Sequence, residues 1–269
     1  MIESKQMFLP NLSPEMYYGN SALGSSKLKA FSESPLHYAK YTELEDTPSL
    51  KFGRAAHSYN LEPKYFYDEY CIIPQGMRRG TKAYKAFKSE HLTRTELTQK
   101  DFDKIVAMNE ALMNSCAREY FEAPGLIESS LFWEYQAYPE SPDHPFRIHC
   151  KGRLDKLLTD GETIIDYKTC ADVSLRAVIK QMKTYKYWLQ EQHYVDGLRT
   201  IFPDRKPRMI FVFQETKAPY DVAVVMVADE DFKEAREHYE QLMERLALCH
   251  VNNDFPGRHD GIIEWSFGN

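Results

Sequence analysis

The stretch from Lys151 to Lys168 constrains this chain more than any other, because two runs of β-forming residues flank the tripeptide Thr159-Asp160-Gly161. That punctuation predicts a β-hairpin with Asp155 on its first strand and Asp166 and Lys168 on its second. Side chains alternate along a strand, so Ile164, Asp166 and Lys168 fall on one face while Ile165 and Tyr167 fall on the other. Antiparallel pairing then brings Asp155 toward the same end of the sheet, within a few ångströms of the acid and lysine. Two carboxylates that close repel unless a proton or a cation lies between them. Oxygen ligands of this kind suit Mg²⁺ or Mn²⁺.

Around the hairpin the pattern alternates between helical and strand periodicity. Residues 1–24, with Pro10, Asn11, Pro14 and Asn20, read as an extended lead-in, and two short helices follow from Ser25, the second opened by Ser34-Pro35. Leu50 to Leu61 reads as a helix that places Gly53, Ala56, His57 and Asn60 on one side, with the small residues allowing close approach to another element. Thr98 to Phe121 is expected to form one long helix with the stripe Phe102, Ile105, Met108, Leu112, Cys116. Strands are expected over Ser129–Tyr138, His149–Leu158, Thr163–Thr169, Met209–Gln214 and Asp221–Val227, with helices over Ser174–Val195 and Asp229–Cys249. The sum is an α/β (α+β) fold, a central mixed sheet flanked by helices with a helical N-terminal part, read as a single domain over 1–269.

Charge narrows the functional classes. A net charge of -6 and a pI near 5.9 do not fit a general nucleic-acid coat, which relies on excess Lys and Arg. A local basic surface on an acidic protein remains compatible with that balance. One dense basic segment exists, in which Arg78, Arg79, Lys82, Lys85 and Lys88 interleave with Tyr84 and Phe87, a composition suited to gripping a DNA backbone. The five cysteines, Cys71, Cys116, Cys150, Cys170 and Cys249, are scattered and never spaced Cys-x-x-Cys, so reduced thiols are expected rather than disulfides, zinc or an iron–sulfur cluster. With no apolar run of membrane-spanning length and no signal-peptide pattern, the expectation is a soluble, cytoplasmic protein without a membrane partner.

Asp155, Asp166 and Lys168 match the Asp…(Asp/Glu)-x-Lys signature of the PD-(D/E)xK nucleases. Their company extends the match in order along the chain: Gly53-x-x-x-His57 with Leu61-Glu62-Pro63, Glu128-x-Ser130-x-x-Trp133, Gly152-Arg153-x-Asp155, Ile165-Asp166-Tyr167-Lys168-Thr169, and Tyr187-x-x-Gln190-x-x-x-Tyr194. From about Ser25 to Tyr194 the chain resembles the nuclease domain of RecE-type exonucleases (exonuclease VIII). It departs from the pattern at Leu154, where the superfamily name has proline, and at Asp166, where many members have glutamate. Glu134 competes with Glu128 for the acidic position on the first strand, and Gln181-x-x-x-Tyr185 fits the same formula as Gln190 and Tyr194.

The resemblance implies a metal-dependent 5′→3′ exonuclease that acts on linear double-stranded DNA ends and leaves 3′ single-stranded overhangs for strand annealing. It implies two Mg²⁺ or Mn²⁺ ions, the first held by His57, Asp155, Asp166 and the Tyr167 carbonyl, the second by Glu128 with Asp166. Lys168 would orient the attacking water, and Gln190 and Tyr194 would contact the terminal nucleotide or position the metal-bearing strand. A ring-like homo-oligomer and a RecT-like single-strand annealing protein are the partners it implies. The rival readings are another nuclease of the superfamily, serving DNA repair or CRISPR adaptation, and a DNA-binding module that keeps the fold without turnover.

Overall fold

The computed structural model describes residues 6–42, 46–137, 146–259 and 261. The N-terminal part holds β1 (Met7–Leu9), α1 (Pro14–Tyr18), α2 (Ser25–Glu33), α3 (Pro35–Ala39), α4 (Pro48–Leu61) and α5 (Phe66–Glu69). Then come β2 (Tyr70–Ile73), α6 (Lys82–Glu90), β3 (Thr95–Thr98), α7 (Gln99–Met113) and α8 (Arg118–Glu122). The long strands β4 (Gly125–Ala137), β5 (Phe146–Leu158) and β6 (Thr163–Cys170) lead to α9 (Leu175–Thr184), α10 (Tyr187–Ile201), β7 (Arg208–Glu215), β8 (Val222–Val225) and α11 (Asp229–Asn252). Tyr138, the expected last residue of the first long strand, lies outside the described residues.

Six strands form one mixed sheet in the order β1-β4-β5-β6-β7-β8, in which only β6 and β7 pair in parallel. Alternation along β6 sorts the core into two layers. Ile164 packs with Leu28, Phe31, Phe211 and Tyr239 under α2, α10 and α11, whereas Ile165 and Tyr167 pack with Ala56, Ile105, Met108 and Val212 under α4 and α7. The small-residue side of α4 is pressed onto β6, where a Cβ at Gly53 would lie 3.0 Å from Thr169 Oγ1. His57 is carried to the sheet by that close approach.

The predicted hairpin is β5–β6. Its turn depends on Gly161, whose φ of 70° is open to glycine at no steric cost. Asp160 accepts the Glu162 and Thr163 backbone N–H groups through its side chain, and Arg205 closes over the glycine.

Three expectations need correction. The lead-in is not merely extended: β1 adds a strand beside β4, Ser13 caps α1 through its hydroxyl, and Leu23 bridges to Cys150. The long helix over Thr98–Phe121 stops at Met113, and a turn separates α8, leaving Cys116 exposed instead of on the buried stripe. The helix over Ser174–Val195 is two helices, broken where Lys186 takes a left-handed backbone (φ 50°, ψ 50°). Its ammonium is held there by Ser32 Oγ at 2.6 Å and by the Glu33 carboxylate.

Candidate active site and metal centre

The site forms where β5 and β6 part. Their recorded pairs are Leu157 with Ile164 and Lys156 with Ile165. At the next position Asp155 no longer pairs through its backbone. Its carboxylate Oδ2 instead accepts the Tyr167 N–H at 2.9 Å. On the other side, β4 lies antiparallel to β5 with Ile127 opposite Lys156 and Ser129 opposite Leu154, which sets Glu128 across from Asp155. Glu128 has a φ of 52°. A non-glycine residue held there costs about 1–3 kcal/mol, strain that persists only where the surroundings enforce it.

His57 reaches the two acids from α4. Its Nε2 is 3.1 Å from Asp155 Oδ2 and 3.5 Å from Glu128 Oε1. Ligand-capable atoms of His57, Glu128 and Asp155 all lie within 4.8 Å of one another. Burial disfavours charge on His57, but Asp155 and Glu128 outweigh it and raise its pKa to about 9. Burial likewise pushes Asp155 up, yet His57, Lys168 and the Tyr167 N–H prevail and bring it down to about 2. Glu128 is held above the usual carboxylate range by burial and by Asp155. A protonated imidazole thus plays the part of a cation between two facing carboxylates. The residues fit a divalent ion, since deprotonating His57 exposes one nitrogen and two carboxylates directed at the same small volume, a mixed N/O set suited to Mn²⁺ and compatible with Mg²⁺.

The second half of the site faces α10. Asp166 is almost fully buried and stands outside the close His57–Glu128–Asp155 group; its carboxylate is engaged by Lys168, whose Nζ is 2.6 Å from Oδ2, and by Gln190, whose Nε2 donates to Oδ1 at 2.6 Å. Burial and Asp155 raise the Asp166 pKa against the pull of Lys168 and Lys29. Lys168 is raised in turn, because Asp166, Asp155 and Tyr187 outweigh its desolvation. Tyr194 lies under the site, packed so closely on Gly152 that a Cβ there would meet its ring at 3.0 Å. Gln190 and Tyr194 therefore stand one turn apart on α10. Gln181, the rival, bonds to the Asp172 carbonyl at 3.4 Å and to the Cys170 thiol, away from Asp166. Glu134, the rival to Glu128, pairs with Arg147 and His149 outside the cluster.

Two residues assigned no role from the sequence join the site, Lys29 and Arg153, the second of which stands in the Gly152-Arg153-x-Asp155 match. Lys29 of α2 donates to Gln190 Oε1 at 3.0 Å and lies over the Tyr187 ring, 4.9 Å from its centroid. Burial and the neighbouring Lys168 lower its pKa to about 7. Arg153 binds Glu128 Oε2 through Nε and lies over the Tyr17 ring.

The basic segment stands apart. Arg78, Arg79, Lys82, Lys85 and Lys88 are all exposed on the β2–β3 connection and α6, a loop that turns at Gly76 and Gly80 with φ of 83° and 84°. Its aromatics are half-exposed and partnered within the fold: Tyr84 donates to both Glu96 oxygens, and Phe87 packs on His91 with ring centroids 4.5 Å apart. All five cysteines are free thiols. Among the described residues no helix is long and apolar enough to cross a membrane.

Comparison with known proteins places this geometry. A crystal structure of a protein from Eubacterium rectale, described as a "putative exonuclease", superposes with a TM-score of 0.61 over 96% of this chain and 96% of that one, at 15% identity. Among curated proteins no match is found. The model of a family described as "PDDEXK-like domain of unknown function" matches residues 24–264, and the chain belongs to that family.

Proposed function

We propose that this protein is a divalent-metal-dependent exonuclease that digests one strand of linear duplex DNA from the 5′ end. The observation that carries this reading is the convergence of His57, Glu128 and Asp155 on one volume beside the buried Asp166–Lys168–Gln190 chain. Hydrolysing a phosphodiester requires a nucleophile to approach an anion and an alkoxide to leave. Bound at this site, a divalent cation supplies a low-pKa water and neutralises charge as it develops.

The protein's own groups have distinct tasks. Asp155, Glu128 and neutral His57 hold the ion, with the Tyr167 carbonyl beside Asp155 as a further ligand. Asp166 keeps Lys168 aimed at the site and, once Lys168 turns to the substrate, would add its own oxygen to the ligand set; with substrate loaded and Arg153 drawn to its phosphate, Glu128 and Asp166 would help to hold a second ion. Lys168 orients the attacking water and offsets charge on the scissile phosphate. Gln190 fixes Asp166, and Tyr194 supports β5, the strand that bears Asp155. Lys29 and Lys168, both over the Tyr187 ring, give the substrate phosphate a cationic corner. Arg78, Arg79, Lys82, Lys85 and Lys88 grip the duplex backbone. The 5′→3′ polarity, a 3′ overhang passed to a single-strand annealing protein, and a ring-like assembly that keeps an acidic protein on its substrate rest on the likeness to RecE-type enzymes.

The test is incubation of end-labelled linear duplex and a closed circle with Mg²⁺, Mn²⁺ or chelator, using wild type and Lys168→Ala. Metal-dependent loss of the 5′ label from the linear DNA alone is expected, with the variant slower by at least about 10²-fold. Cutting of the circle points to an endonuclease of the same fold, and binding without hydrolysis points to a non-catalytic module. Either result ends the exonuclease reading.

A further inference from the structure

Arg153 is placed where a second cation would otherwise compete for Glu128. Its Nε binds Glu128 Oε2, while Oε1 of the same carboxylate faces His57 Nε2 at 3.5 Å. The guanidinium side chain is 13% exposed, and the Tyr17 ring covers it with its centroid 5.6 Å away. Nη1 is buried and finds no hydrogen-bond partner among the described residues. A guanidinium with an unused buried N–H is better explained by a second partner at some stage of the cycle than by packing alone.

We propose that Arg153 is a positioning residue that limits Glu128 to one oxygen toward the ion shared with His57 and Asp155, and so sets how tightly the DNA-free site binds divalent metal. This rests on the metal-site reading above. With Oε2 engaged, Glu128 offers a single ligand atom, and the fixed charge of Arg153 opposes an incoming cation. A unit charge and a divalent ion about 6 Å apart interact by the equivalent of a tenfold change in affinity even at the dielectric of water, and more in a half-buried site. Arrival of substrate supplies phosphate oxygens that Nη1 is free to meet.

The experiment is calorimetric titration of the DNA-free protein with Mn²⁺, comparing wild type, Arg153→Met, Arg153→Gln and Arg153→Lys, with melting in chelator as the folding control. Met keeps the aliphatic stem against Tyr17, and Gln keeps a donor for Glu128 without the charge. Both are expected to tighten Mn²⁺ binding by at least about tenfold, while Lys, which keeps the charge, tightens it by less than either. Unchanged or weaker binding in whichever of Met and Gln folds overturns the role of Arg153. Failure of the wild type itself to bind Mn²⁺, or binding that survives Asp155→Asn unaltered, overturns the metal-site reading instead.

Discussion

Metal binding should expel a proton from His57, and the structure sets the size of the effect. With its pKa raised to about 9 by Asp155 and Glu128, His57 is almost wholly protonated at neutral pH, yet only the neutral imidazole can ligate. The apparent affinity is reduced by one plus the protonated-to-neutral ratio, about 100-fold at pH 7.0 and about fourfold at pH 8.5, so affinity should rise about 25-fold across that window. At pH 7.5 close to one proton should leave per ion bound. Isothermal titration with Mn²⁺ in buffers of different ionisation enthalpy measures both quantities. His57→Gln should bind more weakly, release no proton and lose the slope. Stability of the metal-free protein moves the opposite way. A raised histidine stabilises fully below its ordinary value of 6.5 and loses that contribution as pH rises through 9, at most about 3 kcal/mol here. Melting temperature in chelator should therefore fall from pH 6.5 to 9 while melting temperature in Mn²⁺ gains on it. A wild type that releases less than about a third of a proton, or a Gln variant with the same pH slope, refutes the reasoning.

Further predictions concern the layer beneath the site. Glu191 is fully buried on α10 and raised from 4.5 to about 7 by desolvation, so the folded state holds its proton more tightly than the unfolded one. Stability should then decline from pH 4.5 to 7 by up to about 3 kcal/mol, and Glu191→Gln should flatten that decline in urea titrations; an unchanged slope contradicts it. A Cβ at Gly197 would meet the buried Trp133 ring at 2.8 Å, so Gly197→Ala should lose about 1–2 kcal/mol despite the better helix propensity of alanine. A gain in urea midpoint would contradict that packing. Gln190→Leu strands Asp166 Oδ1 and the Lys29 ammonium without their shared partner, and should cost about 2–4 kcal/mol in the same assay.

The hairpin was legible because turn chemistry and alternation agree in one short window: Gly161 admits the left-handed turn, and Ile164 against Ile165 separates the two core layers. His57 was legible through its small neighbours, since Gly53 and Ala56 announce a face that must come close to something. The rest was hidden by tertiary causes. Glu128 and Glu134 are six apart on one strand, so alternation cannot separate them, and the positive φ that turns Glu128 inward leaves no mark in the spelling. The break between α9 and α10 is held at Lys186 by Ser32 and Glu33, more than 150 residues away in sequence. Lys29 and Arg153 received no role from the sequence, although Arg153 stands in the Gly152-Arg153-x-Asp155 match, because a lysine on an amphipathic helix or an arginine on a strand has no local feature that marks burial. The Glu96 partner of Tyr84 in the basic segment was hidden for a similar reason, since it lies on the strand β3, whereas His91 meets Phe87 one helical turn away.

Crystals soaked in Mn²⁺ and measured at the manganese absorption edge test the central claim most directly. An anomalous peak is expected about 2.2 Å from His57 Nε2 and from oxygens of Asp155 and Glu128. A protein that takes up manganese elsewhere, with His57 still bridging the two carboxylates, would contradict it.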